Sequence, residues 1–296
     1  MNPYRIISNP PVNSITYLGY RITERCNQSC PFCFSREKDI AFDQPISEIK
    51  LCLENIQRAR ISTIGIMGGE PLVRHDLINI LKLIKKFGFE TILSTNALLL
   101  TDNLLHQLKH LVDYLSISLD ADNQPLNDHY RGIGQFTAAT RIITTYNPQI
   151  HPFKLKVNTI VHQQNFHNGI DQIPRFFLGK PIVWKLLQYT PRLDGFKVRD
   201  QFQITTKAFK LKSQQLQKKY PSTIIAQRTY SINEKYDLLL LRPNGDLQIN
   251  HHDQYQVVGN AYQDEISHVI ESVWHQQTSY YHENWDEFER SYRQLN

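Results

Sequence analysis

The feature that most narrows the folds open to this chain is a rhythm: short runs rich in β-branched and aromatic residues alternate with longer helical patterns. Such alternation builds βα units around a parallel sheet. The pattern predicts strands over residues 15–23, 62–67, 91–95, 114–119, 153–161 and 182–189, and helices near 46–60, 74–87, 101–110, 135–146 and 165–177. These units predict an α/β fold, a partial (β/α)6 TIM-like barrel with a C-terminal extension, its core over residues 1–190. After Thr190 the rhythm breaks. A helix over 207–219, a hairpin in which the turn Pro243-Asn244-Gly245-Asp246 joins 238–241 to 247–250, and a helix over 265–274 make up an extension, residues 191–296. This extension is expected to cover the barrel, with an aromatic tail that includes Tyr280, Tyr281, Trp285 and Phe288.

A chain of 296 residues with 41% hydrophobic content can bury one large core. Its opening residues lack the pattern of a signal peptide, and no stretch is apolar long enough to span a bilayer, so a cytoplasmic location is expected. The formal charge of +5 is spread along the chain with no Lys/Arg block, which speaks against nucleic acid as a partner. Of four cysteines, Cys52 lies in an amphipathic helix and reads as a small buried hydrophobe.

The other three are clustered. Cys26-Asn-Gln-Ser-Cys30-Pro-Phe-Cys33 places three thiolates on one short loop after the first strand. Iron–sulfur clusters are held by cysteines at such spacings. Zinc is the alternative, but its closed sites take four ligands, and no second cysteine pair stands nearby. Gly68-Gly69-Glu70-Pro71 follows the second strand, Ser94-Thr95-Asn96-Ala97 the third, Ser118-Leu119-Asp120 the fourth, and His129-Tyr130-Arg131-Gly132 comes before the next helix. In a barrel the C-terminal ends of strands carry the chemistry.

Together these motifs, over about residues 15–190, resemble the radical S-adenosylmethionine (SAM) superfamily. The resemblance implies a 4Fe–4S cluster on Cys26, Cys30 and Cys33 and a SAM site formed by Gly68, Gly69, Glu70, Pro71, Ser94, Asn96, Ser118 and Arg131. In that site Glu70 holds the SAM amino group and Arg131 its carboxylate. Without these motifs Arg131 would read as a solvated loop arginine. The likeness further implies a flavodoxin- or ferredoxin-like electron donor and a radical that abstracts hydrogen from substrate.

Strand alternation describes the lumen independently of any likeness. Leu115, Ile117 and Leu119 share one face of the fourth strand, and Phe153, Leu155, Val157, Thr159 and Val161 one face of the fifth; Lys154, Lys156 and Asn158 are left toward the lumen. Gly19, Arg21 and Thr23 fall together on the first strand and Thr63, Gly65 and Met67 on the second, which predicts open space beside Arg21. With Lys185, these cations favour an anionic small-molecule substrate. The other reading is that the lysines sit at strand ends and snorkel into solvent.

Lys156-Val157-Asn158, Trp184-Lys185-Leu186-Leu187-Gln188, Cys33-Phe34 and Arg131-Gly132-Ile133-Gly134-Gln135 resemble the viperin branch, whose members dehydrate a nucleoside triphosphate. That likeness places Lys156, Asn158 and Lys185 on the nucleotide. The chain departs from it at Gly19-Tyr20-Arg21, where the branch has Asn-x-His, at Thr63, where it has Lys, and at Met67, where it has serine. Arg21 is either the replacement for the lost phosphate contacts or the mark of a different substrate. A peptide-modifying radical SAM maturase and a non-catalytic iron–sulfur electron-transfer or metal-binding protein are the competing readings. The absence of cysteine after Cys52 weighs against the common form of the first. The second leaves the strand-end motifs unexplained.

Overall fold

The computed structural model describes residues 16–33, 42–228, 238–251 and 254–274. Phe34, His252 and the aromatic tail lie outside these residues. The barrel begins with β1 (Tyr17–Arg21), α1 (Ile46–Arg58), β2 (Thr63–Met67), α2 (Leu77–Lys86), β3 (Glu90–Thr95), α3 (Asp102–Leu108) and β4 (Tyr114–Ser118). Two helices, α4 (Gln124–Arg131) and α5 (Gln135–Thr145), precede β5 (Lys154–Val161), and β6 (Ile182–Gln188) ends the predicted core. Beyond it come α6 (Arg199–Phe202), α7 (Thr206–Lys219), β7 (Ile224–Arg228), β8 (Leu239–Leu241), β9 (Asp246–His251), β10 (Gln254–Asn260) and α8 (Ile266–Trp274).

The ten strands among the described residues form one sheet in the order β10-β9-β8-β1-β2-β3-β4-β5-β6-β7. From β8 to β7 every neighbouring pair is parallel, while β8–β9 and β9–β10 are antiparallel. The six expected strands are therefore present in the expected order. The extension joins the same sheet at both edges, β7 beside β6 and β8 beside β1. Leu115, Ile117, Leu119, Leu155, Val157 and Val161 are buried in the main core with helix residues such as Ile49, Leu53, Ile80 and Ile84, as strand alternation requires. Cys52 belongs to the same core and is fully buried.

Two helix expectations need correction. Residues 165–177 form turns and a short 3-10 helix, Ile173–Phe176, in place of an α-helix. Gly169 packs its backbone against Asn165 and Leu126, and Pro174 lacks an N–H for a helical ladder; Ile170, Ile173 and Phe177 are nonetheless buried. Conversely, residues 124–131 form α4, which the apolar periodicity did not reveal. The Asn123 side chain accepts from Leu126 N at 3.1 Å, Pro125 stands in the first turn, and Gly132 ends the helix at φ 97°.

Asn55 of α1 ties the extension to the barrel. Its Nδ2 donates to the carbonyls of Ala261 (3.0 Å) and Asp264 (2.7 Å), and its Oδ1 accepts from Ile266 N at 3.2 Å, the first residue of α8. Replacing Asn55 by alanine leaves buried backbone groups unpaired and is expected to cost about 2 kcal/mol. A lowered urea midpoint in equilibrium unfolding is the readout, and an unchanged midpoint would show that the extension is held by apolar packing alone.

Candidate active site

Two backbone turns meet at the C-terminal ends of β1 and β2. Ile22 N donates to Met67 O (3.0 Å), Gly69 N to Thr23 O (2.9 Å) and Glu70 N to Arg25 O (2.8 Å). This contact explains the glycine pair. Gly68 adopts φ 147°, and a Cβ there would overlap the carbonyl oxygen of Thr23; a Cβ at Gly69 would overlap that of Arg25. The cysteine loop is thereby clamped against the turn that carries Glu70.

Glu70 is 1% exposed. Its Oε1 accepts from Thr95 Oγ1 (2.7 Å) and Leu72 N (3.1 Å), and its Oε2 accepts from Asn96 N (2.7 Å). Burial pushes its pKa up to about 7, against the pull of these hydrogen bonds. Asn96 also donates from Nδ2 to Asn27 Oδ1 at 2.7 Å, so the turn after β3 braces the cysteine loop as well.

Arg131, at the end of α4, donates from Nε to Asp120 Oδ2 at 2.5 Å, and its guanidinium lies 5.3 Å from the centre of the Phe32 ring. Asp120 is fully buried, and its Oδ1 accepts from Ile160 N at 2.7 Å. The buried carboxylate raises the Arg131 pKa over the opposing effect of desolvation. This is a fixed, partly buried cation, not the solvated loop arginine that its sequence neighbours alone suggested. Around the loop, Phe32, Tyr130, Tyr189 and Phe202 form a second apolar cluster with Cys30 packed on it. Desolvation there raises the Cys30 thiol to about 11.

One pocket gathers nearly all of the predicted residues. Cys26, Cys30 and Cys33 line it with Gly68, Gly69, Glu70, Ser94, Asn96, Ser118 and Arg131, and Lys156, Asn158 and Lys185 line it too. Pro71 is not in the lining and opens a 3-10 turn, Pro71–Val73. Arg21 is not in the lining either. It is fully buried, with Nη1 3.5 Å from both Glu24 Oε1 and Gln248 Oε1, and its guanidinium lies 5.2 Å from the centre of the Tyr255 ring. The space expected beside Arg21 is occupied by the side chains of Tyr17 and Met67. Sequence reasoning missed Tyr17, Gln28, Phe32, Ile160, Leu187 and Leu238 in the lining. Extending the alternation by one step finds Tyr17, Ile160 and Leu187; Leu238, from the extension, had no such signal.

The donor set suits an iron–sulfur cluster: three thiols on one turn, none in a disulfide, opening onto a pocket with an arginine and a carboxylate. Among the described residues no three His, Cys, Asp or Glu side chains gather as a single metal ion requires.

Residues 20–164 match the model of the Radical SAM superfamily. Over this stretch, just under half of its length, the chain is similar to that superfamily. The chain is also 28% identical over 208 residues to an S-adenosylmethionine-dependent nucleotide dehydratase of Lacinutrix mariniflava, covering 64% of this chain but 43% of that protein. It is 24% identical over 314 residues to a protein of the same name from a Fibrobacter species, covering 93% of this chain and 90% of the relative. Both of these likenesses are to nucleotide dehydratases, at low identity. In fold, the chain resembles Streptococcus suis SuiB bound to S-adenosylmethionine, with a TM-score of 0.67 at 16% identity over 86% of this chain and 65% of that one. No helix among the described residues is long and apolar enough to cross a membrane.

Proposed function

We propose that this protein is a radical SAM enzyme acting on an anionic nucleotide, with dehydration of a nucleoside triphosphate as the reaction. The observation that carries this reading is the shared pocket: Lys156, Asn158 and Lys185 open onto the same space as the three cysteines, Glu70 and Arg131. Cys26, Cys30 and Cys33 would hold a 4Fe–4S cluster, which, when bound and reduced by a flavodoxin- or ferredoxin-like donor, would supply the electron for reductive cleavage of SAM to methionine and a 5′-deoxyadenosyl radical.

The protein binds and orients. Glu70 spends three acceptor positions on Thr95, Leu72 and Asn96, and the remaining one, on Oε2, accepts from the SAM ammonium. Arg131 gives Nε to Asp120 and keeps its other N–H donors for the SAM carboxylate. Lys156 and Lys185 offset the phosphate charge, and Asn158 orients the sugar. The apolar lining at Phe32, Ile160, Leu187 and Leu238 keeps water from the reacting C–H bond. Arg21, buried against Glu24, Gln248 and Tyr255 outside the pocket lining, takes no part in holding the phosphates.

Incubation of reconstituted protein with SAM, a reductant and each nucleoside triphosphate in turn tests the proposal. One nucleotide is expected to raise 5′-deoxyadenosine formation well above the rate without it; if none does, the nucleotide reading fails.

Glu70 adds a pH dependence. Its pKa of about 7 in the folded protein stands above the ordinary 4.5. The folded state therefore holds a proton that the unfolded chain sheds within this window, and the stability this provides below pH 4.5 is lost as pH rises through about 7. The SAM ammonium needs the ionised form. Affinity for SAM is expected to fall below pH 7, approaching about tenfold per unit at lower pH. Calorimetric titration from pH 6 to about 8.5 should show this slope in the wild type and a weak, flat profile in Glu70→Gln.

A further inference from the structure

The side of the pocket formed by β1 and β2 is built differently from the side formed by β5 and β6. In the β1–β2 ladder Gly19 stands directly opposite Gly65, so two positions without side chains face the lumen together. A Cβ on Gly65 would overlap the Tyr17 hydroxyl and lie 2.6 Å from the ring carbon that bears it. A Cβ on Gly19 would lie 2.7 Å from Leu240 and 3.4 Å from the Met67 methyl. Tyr17 therefore leans across Gly65 while Met67 leans back across Gly19. Both side chains line the pocket, and Leu238 continues their surface. Lys156, Asn158 and Lys185 come from β5 and β6, with a buried Asn158 Oδ1 that accepts no hydrogen bond from the described residues.

The lumen thus has one flat wall of aromatic ring and thioether and one wall of cations and an open acceptor. A flat, polarisable surface of this kind stacks on the face of a heteroaromatic ring with little regard to its edge pattern. We infer that Tyr17, seated on Gly65 and flanked by Met67, is the platform on which the nucleobase of the substrate stacks, its phosphates directed to Lys156 and Lys185. The inference rests on the nucleotide reading above and adds the residue that recognises the base. Gly65 belongs to the same device, because any side chain there displaces the Tyr17 ring.

Binding without turnover tests it. Reconstituted protein holding SAM, with no reductant, is titrated with CTP, GTP and inorganic tripolyphosphate in wild type, Tyr17→Ala, Tyr17→Phe and Gly65→Ala. Loss of the ring should weaken nucleotide binding about tenfold and leave tripolyphosphate and SAM binding unchanged to within about twofold. Gly65→Ala should behave like Tyr17→Ala, and Tyr17→Phe like wild type. A Tyr17→Ala protein that binds nucleotides as wild type does, or that loses tripolyphosphate in the same proportion, overturns the platform and leaves the nucleotide reading standing. Wild type that binds tripolyphosphate but no nucleotide also overturns it. Binding of neither defeats the nucleotide reading and the platform together.

Discussion

Cys30→Ser is expected to yield a folded protein that cannot retain a complete iron–sulfur cluster and forms 5′-deoxyadenosine no faster than a protein-free control. The thiol sits against Phe32, Tyr130, Tyr189 and Phe202, and desolvation raises its pKa to about 11. In that setting a thiolate is held by the metal it binds and not by the protein around it. A serine hydroxyl fits the volume but is a far poorer ligand for iron. Iron and sulfide analysis of anaerobically reconstituted protein, with the low-temperature EPR of the dithionite-reduced sample, reads the loss directly. A serine variant that keeps full iron, the reduced-cluster signal and SAM cleavage would remove Cys30 from the ligand set. Cys26→Ser and Cys33→Ser are expected to behave alike, since all three line the same pocket.

Arg131→Leu has the second large effect, and it divides into two parts. Asp120 is fully buried, so losing its partner leaves a carboxylate held, among the described residues, by Ile160 N, at a cost of about 3–5 kcal/mol in stability. Losing the guanidinium also removes the donors assigned to the SAM carboxylate. Adding Asp120→Asn separates the two parts: an amide needs no cation, so the double variant should recover much of the unfolding free energy while SAM binding stays weak. Denaturant unfolding and SAM titration on the single and double variants give both quantities. If binding returned along with stability, Arg131 would be a structural partner of Asp120 and nothing more.

The strands were readable because each is a short β-branched or aromatic run whose two faces differ, and a parallel sheet covered by helices demands such runs. Helix α4 was missed because its eight residues, Gln124–Arg131, bury only Asn127 and Tyr130, too few for periodicity to show. Its signature lay in the capping Asn123, Pro125 and the terminating Gly132. The segment 165–177 failed the other way: Ile170, Ile173 and Phe177 have helix-like spacing, yet Gly169 and Pro174 turn the chain. Cys26 and Glu70 stood out by their place after the first and second strands, whereas Arg131, at the end of α4, stood out only through the resemblance of its motif. Asp120 was visible as a residue but not as the partner of Arg131, because the pairing depends on α4. Arg21 misled because strand parity gives the face a residue points from and not the length of its reach; a long side chain leaves the lumen for Glu24 and Gln248.

The edge partner of β1 has a consequence for how this protein comes to its native state. Gly19 and Tyr20 pair on one side with Gly65 and Ile66, but on the other with Leu240 and Leu241 near the far end of the chain. A growing polypeptide can assemble β2 through β6 long before that second neighbour emerges, and closing so long a loop is slow. The strand from which the cysteine turn hangs is therefore among the last to be flanked on both sides. The turn that carries Cys26, Cys30 and Cys33 is thus braced through β1 only after β8 has joined the sheet.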